Sequence, residues 1–131
     1  MAKVLIVEDD ALEAMGMHAV LTTAGFEVVG VAPRVSDAVR LAKDTSPDVA
    51  IFDVRLAGQR DGIEGACILR ETAGTAVIFV TGQSDAATIA RATQAEPVAV
   101  LQKPVWTKHL LTAVETAATR HRQETREWPE S

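Results

Sequence analysis

The chain has 131 residues, 47% of them hydrophobic and 24% charged, with a formal net charge of −5. That length suits one domain with a proper core. The acidic balance and the scattered lysines and arginines argue against a nucleic-acid-binding surface, since the largest basic group is Arg120-His121-Arg122. No apolar run approaches the ~18 residues of a membrane-crossing helix. The single cysteine, Cys67, excludes an internal disulfide framework and is expected to pack in the core of a protein from a reducing compartment.

The N-terminus passes from Met1-Ala2-Lys3 straight into Val4-Leu5-Ile6-Val7, with acidic residues directly behind. That reads as a strand and not a signal peptide, so a cytoplasmic location and no membrane partner are expected. The strand stops at Glu8-Asp9-Asp10, where Asp10 suits a helix cap. In the helix that follows, Leu12, Met15, Ala19 and Ala24 fall near one face, with Met17, Val20 and Leu21 flanking and Gly25 as the stop. Residues 26–32 form a second strand, and Val35, Ala38, Val39 and Ala42 repeat at helical spacing. Val49-Ala50-Ile51-Phe52-Asp53 is an apolar run closed by one aspartate.

Residues 56–61 are a polar loop and 62–72 a helix. Residues 76–80 make a fourth strand, ending in Thr81-Gly82, and 86–95 an alanine-rich helix with Ile89 as its one large apolar residue. Residues 98–101 make a fifth strand, closed by Gln102-Lys103-Pro104. Trp106 is expected to pack at the start of a last helix that presents Leu110, Leu111, Val114, Ala117 and Ala118 on one face. We expect a domain over 1–122 and a frayed tail over 123–131. The histidines, His18, His109 and His121, lie on separate helices without metal-ligand spacing.

Short buried strands alternating with helices pair in parallel through right-handed crossovers, which predicts an α/β, doubly wound, three-layer sandwich. Parallel strands put their carboxyl ends on one edge. That edge collects Glu8 and Asp9, Asp53, Thr81 and Lys103. Clustered carboxylates repel unless a cation intervenes, and a hard divalent ion such as Mg²⁺ suits an oxygen-rich set. A carboxylate held by a metal and a lysine can attack phosphorus and become an aspartyl phosphate. Plainer readings exist: Asp53 or the acidic residues after the first strand as caps, Thr81-Gly82 as a turn, Lys103 as a solvated side chain.

Val4-Leu5-Ile6-Val7-Glu8-Asp9, Pro47-Asp48-Val49-Ala50-Ile51-Phe52-Asp53, Val77-Ile78-Phe79-Val80-Thr81-Gly82 and Lys103-Pro104 together resemble the receiver domain of two-component response regulators. The resemblance implies a flavodoxin-like five-stranded sheet in the order 2-1-3-4-5. It implies Asp53 as phosphoacceptor, Glu8 and Asp9 as the acidic pair for Mg²⁺, and the Arg55 backbone carbonyl as a further ligand. Thr81 would be the switch hydroxyl and Lys103 the phosphoryl-contacting lysine. A phosphohistidine on a sensor histidine kinase or histidine phosphotransfer protein would be the donor, with an unnamed downstream protein and pairing of two copies through the last helices as further contacts. The role is signalling and not turnover of a substrate.

Three departures from the family pattern stand out. Leu56-Ala57 replaces a Met-Pro step, and Asp61-Gly62 arrives two residues late. The switch aromatic expected three residues before the lysine is Val100, in a chain without tyrosine. Phe79-Val80-Thr81-Gly82 is similar to a subgroup of mostly stand-alone receivers that also lack that aromatic. Arg55, two residues beyond Asp53, and Ser84, three beyond Thr81, flank the path of the attacking water in the family, so a bulky Arg55 is expected to lengthen the life of the phosphoryl group. The competing classes are an unphosphorylated interaction module and a metal-dependent phosphohydrolase. The latter would need a second aspartate where Arg55 stands.

Overall fold

Short runs of β-branched and aromatic residues become strands because they fill a pleated surface buried on both faces. The computed structural model describes residues 2–55, 61–82 and 86–127, and in it strands alternate with helices throughout. The order is β1 (Lys3–Val7), α1 (Ala11–Thr23), β2 (Glu27–Ala32), α2 (Val35–Thr45), β3 (Val49–Asp53), α3 (Gly62–Ala73), β4 (Ala76–Thr81), α4 (Ala86–Gln94), β5 (Ala99–Gln102) and α5 (Thr107–Glu127). The sheet order is β2-β1-β3-β4-β5, every pair parallel, as the resemblance implied. The register aligns the strand ends: Val7 lies beside Phe52, Asp53 beside Val80, and Thr81 beside Gln102. Glu8, Asp53, Thr81 and Lys103 therefore reach the same edge.

Alternation along the central strands sends residues to two separate cores. Leu5, Val7, Phe52, Val77 and Phe79 pack with Ala38, Ala42, Ile63, Ala66, Leu69 and Ala92 from α2, α3 and α4. Val4, Ile6, Ile51, Ile78 and Val80 pack with Ala14 and Leu21 of α1 and Leu110, Val114, Ala117 and Ala118 of α5. Cys67 and Val100 are partly buried against the first core. The expectation of short buried strands holds for the interior strands β1, β3 and β4. The edge strands β2 and β5 are half-buried, having one neighbour each and less helix cover.

Several local expectations are corrected. The buried line of α1 is Ala14 and Leu21, with Met17 and Val20 beside it, while Leu12 is 79% and Met15 67% exposed. Apolar residues nearly encircle this helix, so spacing does not select a face; small Ala14 lets the helix approach the sheet. Trp106 is 73% exposed, and only its carbonyl takes part in the start of α5, accepting from the Leu110 N–H at 3.0 Å. His121 lies at the core edge and makes two contacts that spacing does not reveal: Nδ1 faces the Gly74 carbonyl at 3.1 Å and Nε2 the Asp48 carboxylate at 3.3 Å. Beyond it α5 continues as helix to Glu127, into the segment expected to fray.

Helix α3 lies very close to β3. A Cβ on Gly62 would collide with the Asp53 carbonyl oxygen, and the Gly62 N–H donates to the Val54 carbonyl at 2.9 Å. A Cβ on Gly65 would meet the Phe52 ring and Val35 at 2.9 Å. Asp61 caps the helix by accepting from the Glu64 N–H at 3.0 Å, and its other oxygen pairs with Arg91 of α4.

Candidate functional site

Four of the five strands end where an apolar run gives way to a polar residue, β2 running instead into Pro33, and the aligned ends bring those residues together. The Lys103 ammonium donates to Asp53 Oδ2 at 2.9 Å, to Glu13 Oε2 at 3.0 Å and to Glu8 Oε1 at 3.4 Å. The Lys103 N–H also donates to the Thr81 carbonyl at 2.8 Å, which fixes the base of the lysine stem beside β4. Lys103-Pro104 is a cis peptide. Asp53 and Thr81 are buried, as is Glu8, whose other oxygen accepts from the Asp10 N–H at 3.3 Å.

Burial is the main cause that pushes Glu8 from its ordinary 4.5 up to about 8, and the neighbouring Asp53 carboxylate adds to it. Burial alone would lower the Lys103 value, but hydrogen bonds to Asp53 and Glu13 win and hold its ammonium above the usual lysine range. Asp61 is likewise partly desolvated, yet its bond to Arg91 and the Glu64 N–H keep its carboxyl below the usual range.

The sequence-derived site is assembled in large part. Asp53, Glu8, Thr81 and Lys103 meet at one edge. Arg55 is exposed and meets Asp53 through its backbone N–H, which donates to Oδ1 at 3.1 Å. Asp9 is exposed and stands outside the carboxylate group that gathers, while Asp10 caps α1 through the Leu12 and Glu13 N–H groups. Glu13 is the residue that sequence reasoning missed. It lies one helical turn beyond Asp9, where an acidic residue reads as an ordinary first-turn charge. Ser84 and the loop residues 56–60 lie outside the described residues.

Among the described residues, oxygens of Glu8, Glu13 and Asp53 all lie within 4.8 Å of one another. An all-oxygen set whose buried member, Glu8, is costly to ionise beside Asp53 without a neighbouring positive charge fits a hard divalent cation such as Mg²⁺. No helix among the described residues is long and apolar enough to cross a membrane.

The family pattern of the response regulator receiver domain matches residues 4–115. The chain belongs to that family. This receiver is 36% identical over 121 residues to the transcriptional regulatory protein PdtaR of Mycobacterium tuberculosis. The alignment covers 92% of the chain and 58% of PdtaR. It is 30% identical over 103 residues to the phyllosphere-induced regulator PhyR of Methylorubrum extorquens, covering 78% of the chain and 38% of PhyR. The receiver thus spans little more than half of one curated relative and less than half of the other. Among solved structures it superposes on the signal receiver domain of a modulated diguanylate cyclase from Desulfovibrio desulfuricans G20. There the TM-score is 0.89 at 36% identity, over 95% of this chain and 98% of that one.

Proposed function

We propose that this receiver accepts a phosphoryl group on Asp53 from a phosphohistidine of a sensor histidine kinase or histidine phosphotransfer protein. It then passes the signal on as a changed protein-binding surface or by onward phosphotransfer. The observation that carries the reading is the Lys103 ammonium seated over Asp53 at 2.9 Å, at the edge where the strand ends converge.

An Asp53 carboxylate oxygen forms the bond to phosphorus as the phosphohistidine P–N bond breaks, and the imidazole nitrogen takes the electron pair. Lys103 meets the negative charge of the transferred group, and the buried Thr81 hydroxyl lies at the neighbouring strand end to contact it. The Arg55 N–H orients the Asp53 carboxylate by holding Oδ1. Bound Mg²⁺ would offset charge on the phosphoryl oxygens. Glu8 and Asp53 are the ligands that geometry and family pattern both support; Asp9 and the Arg55 carbonyl rest on the family pattern alone.

The test is incubation with Mg²⁺ and a small phosphodonor, followed by intact mass. Addition of one stable phosphoryl group, lost in Asp53→Asn, is the expected result. No adduct would point to an unphosphorylated interaction module, and rapid repeated release of phosphate to a phosphohydrolase.

A further inference from the structure

Lys103 is held by one more carboxylate than the phosphoacceptor chemistry uses. An ammonium has three N–H donors, and here each finds a carboxyl oxygen, on Asp53, Glu13 and Glu8. Phosphoryl oxygens that come to Lys103 must take a donor from one of them. The three are unequal in what that loss costs. The Glu8 side chain is fully buried and that of Asp53 is 10% exposed, whereas that of Glu13 is 42% exposed. Asp53 carries the phosphoryl group itself and the buried Glu8 carboxyl has no water to turn to, whereas an exposed carboxylate is rehydrated at little cost. Glu13 is the one that lets go.

We propose that Glu13 is a positioning residue acting through Lys103. In the unphosphorylated protein it tethers the lysine toward α1 and opposes the approach of an anionic phosphodonor, and it releases the lysine once Asp53 is phosphorylated. This rests on the phosphoacceptor reading and deepens it. The release also has somewhere to register. Glu13 and Lys103 both line a cavity of about 320 Å³ between α1 and α5, walled by Met17, Val20, Val80 and Leu110. That wall belongs to the α1/α5 core, across the sheet from the cluster that Val100 joins. A signal leaving through Glu13 needs no aromatic residue at position 100.

The experiment compares wild type, Glu13→Gln and Glu13→Ala at saturating Mg²⁺, using dianionic acetyl phosphate and monoanionic phosphoramidate, with adduct followed by intact mass. Both variants should take the phosphoryl group from acetyl phosphate roughly threefold faster or more at low donor concentration, the size expected from losing one partly exposed charge. The gain should lie in the half-saturating donor concentration and not in the limiting rate. It should be smaller for phosphoramidate and shrink as salt is raised. Unchanged rates, equal changes with both donors, or slower variants with weakened Mg²⁺ binding would overturn the tether. Absence of any adduct in wild type would overturn the phosphoacceptor reading and this inference together.

Discussion

Glu8 is the residue whose chemistry the fold alters most. Its carboxyl is raised from 4.5 to about 8, so the folded protein favours the neutral form. The stability this confers is full below pH 4.5 and is lost as pH climbs through 8. Asp61, shifted down, acts only at lower pH, and Lys103, shifted up, only at higher. Metal-free protein should therefore melt at a lower temperature at pH 8.5 than at pH 5.5, and Glu8→Gln should remove most of that difference in thermal scans. Arg55 calls for a kinetic test: replacing its exposed side chain in Arg55→Ala should shorten the life of the Asp53 phosphoryl group severalfold, read as loss of adduct mass over time. Unchanged or slower decay would remove the shielding role. The strand-end residues were legible because a short apolar run has an unambiguous polar terminus. Glu13 was not, since a helical residue reaches a site by its rotation about the helix axis, which near-uniform apolarity in α1 leaves unspecified.

At the scale of elements, the contact of α3 with β3 sets the floor of the site. Gly62 lies against the very carbonyl of Asp53, so Gly62→Ala must push the helix start away from the strand. The expected cost is about 1–3 kcal/mol or more in denaturant unfolding. Phosphorylation of Asp53 should slow as well, because the same backbone carries the acceptor. Element order and type could be read from alternating apolar runs and turn residues. What could not be read was which side a helix buries or how two elements meet. The exposure of Leu12, Met15 and Trp106 and the tie between His121, Gly74 and Asp48 depend on partners far away in the chain. The bond between Asp61 and Arg91 is of this kind too: it joins the cap of α3 to α4, at the end of the loop where the sequence departs from the family pattern.

For the whole molecule, the domain boundary proposed near residue 122 is testable by truncation. Among the residues whose side chains are described, the last that ties α5 to the body is His121, and removing 123–131 should shift the melting temperature by no more than about 3 °C. A larger drop would extend the domain into the tail. The sheet has a further effect on how this protein can change. It acts as a bulkhead between two apolar compartments, one under α1 and α5 and one under α2, α3 and α4. Ile63→Val in the second and Val114→Ala in the first should therefore destabilise additively, within about 0.5 kcal/mol in a double-mutant cycle. If so, substitutions accumulating behind the α3 and α4 surface need no compensation behind α1, and the two sides of the molecule can drift through sequence space at independent rates.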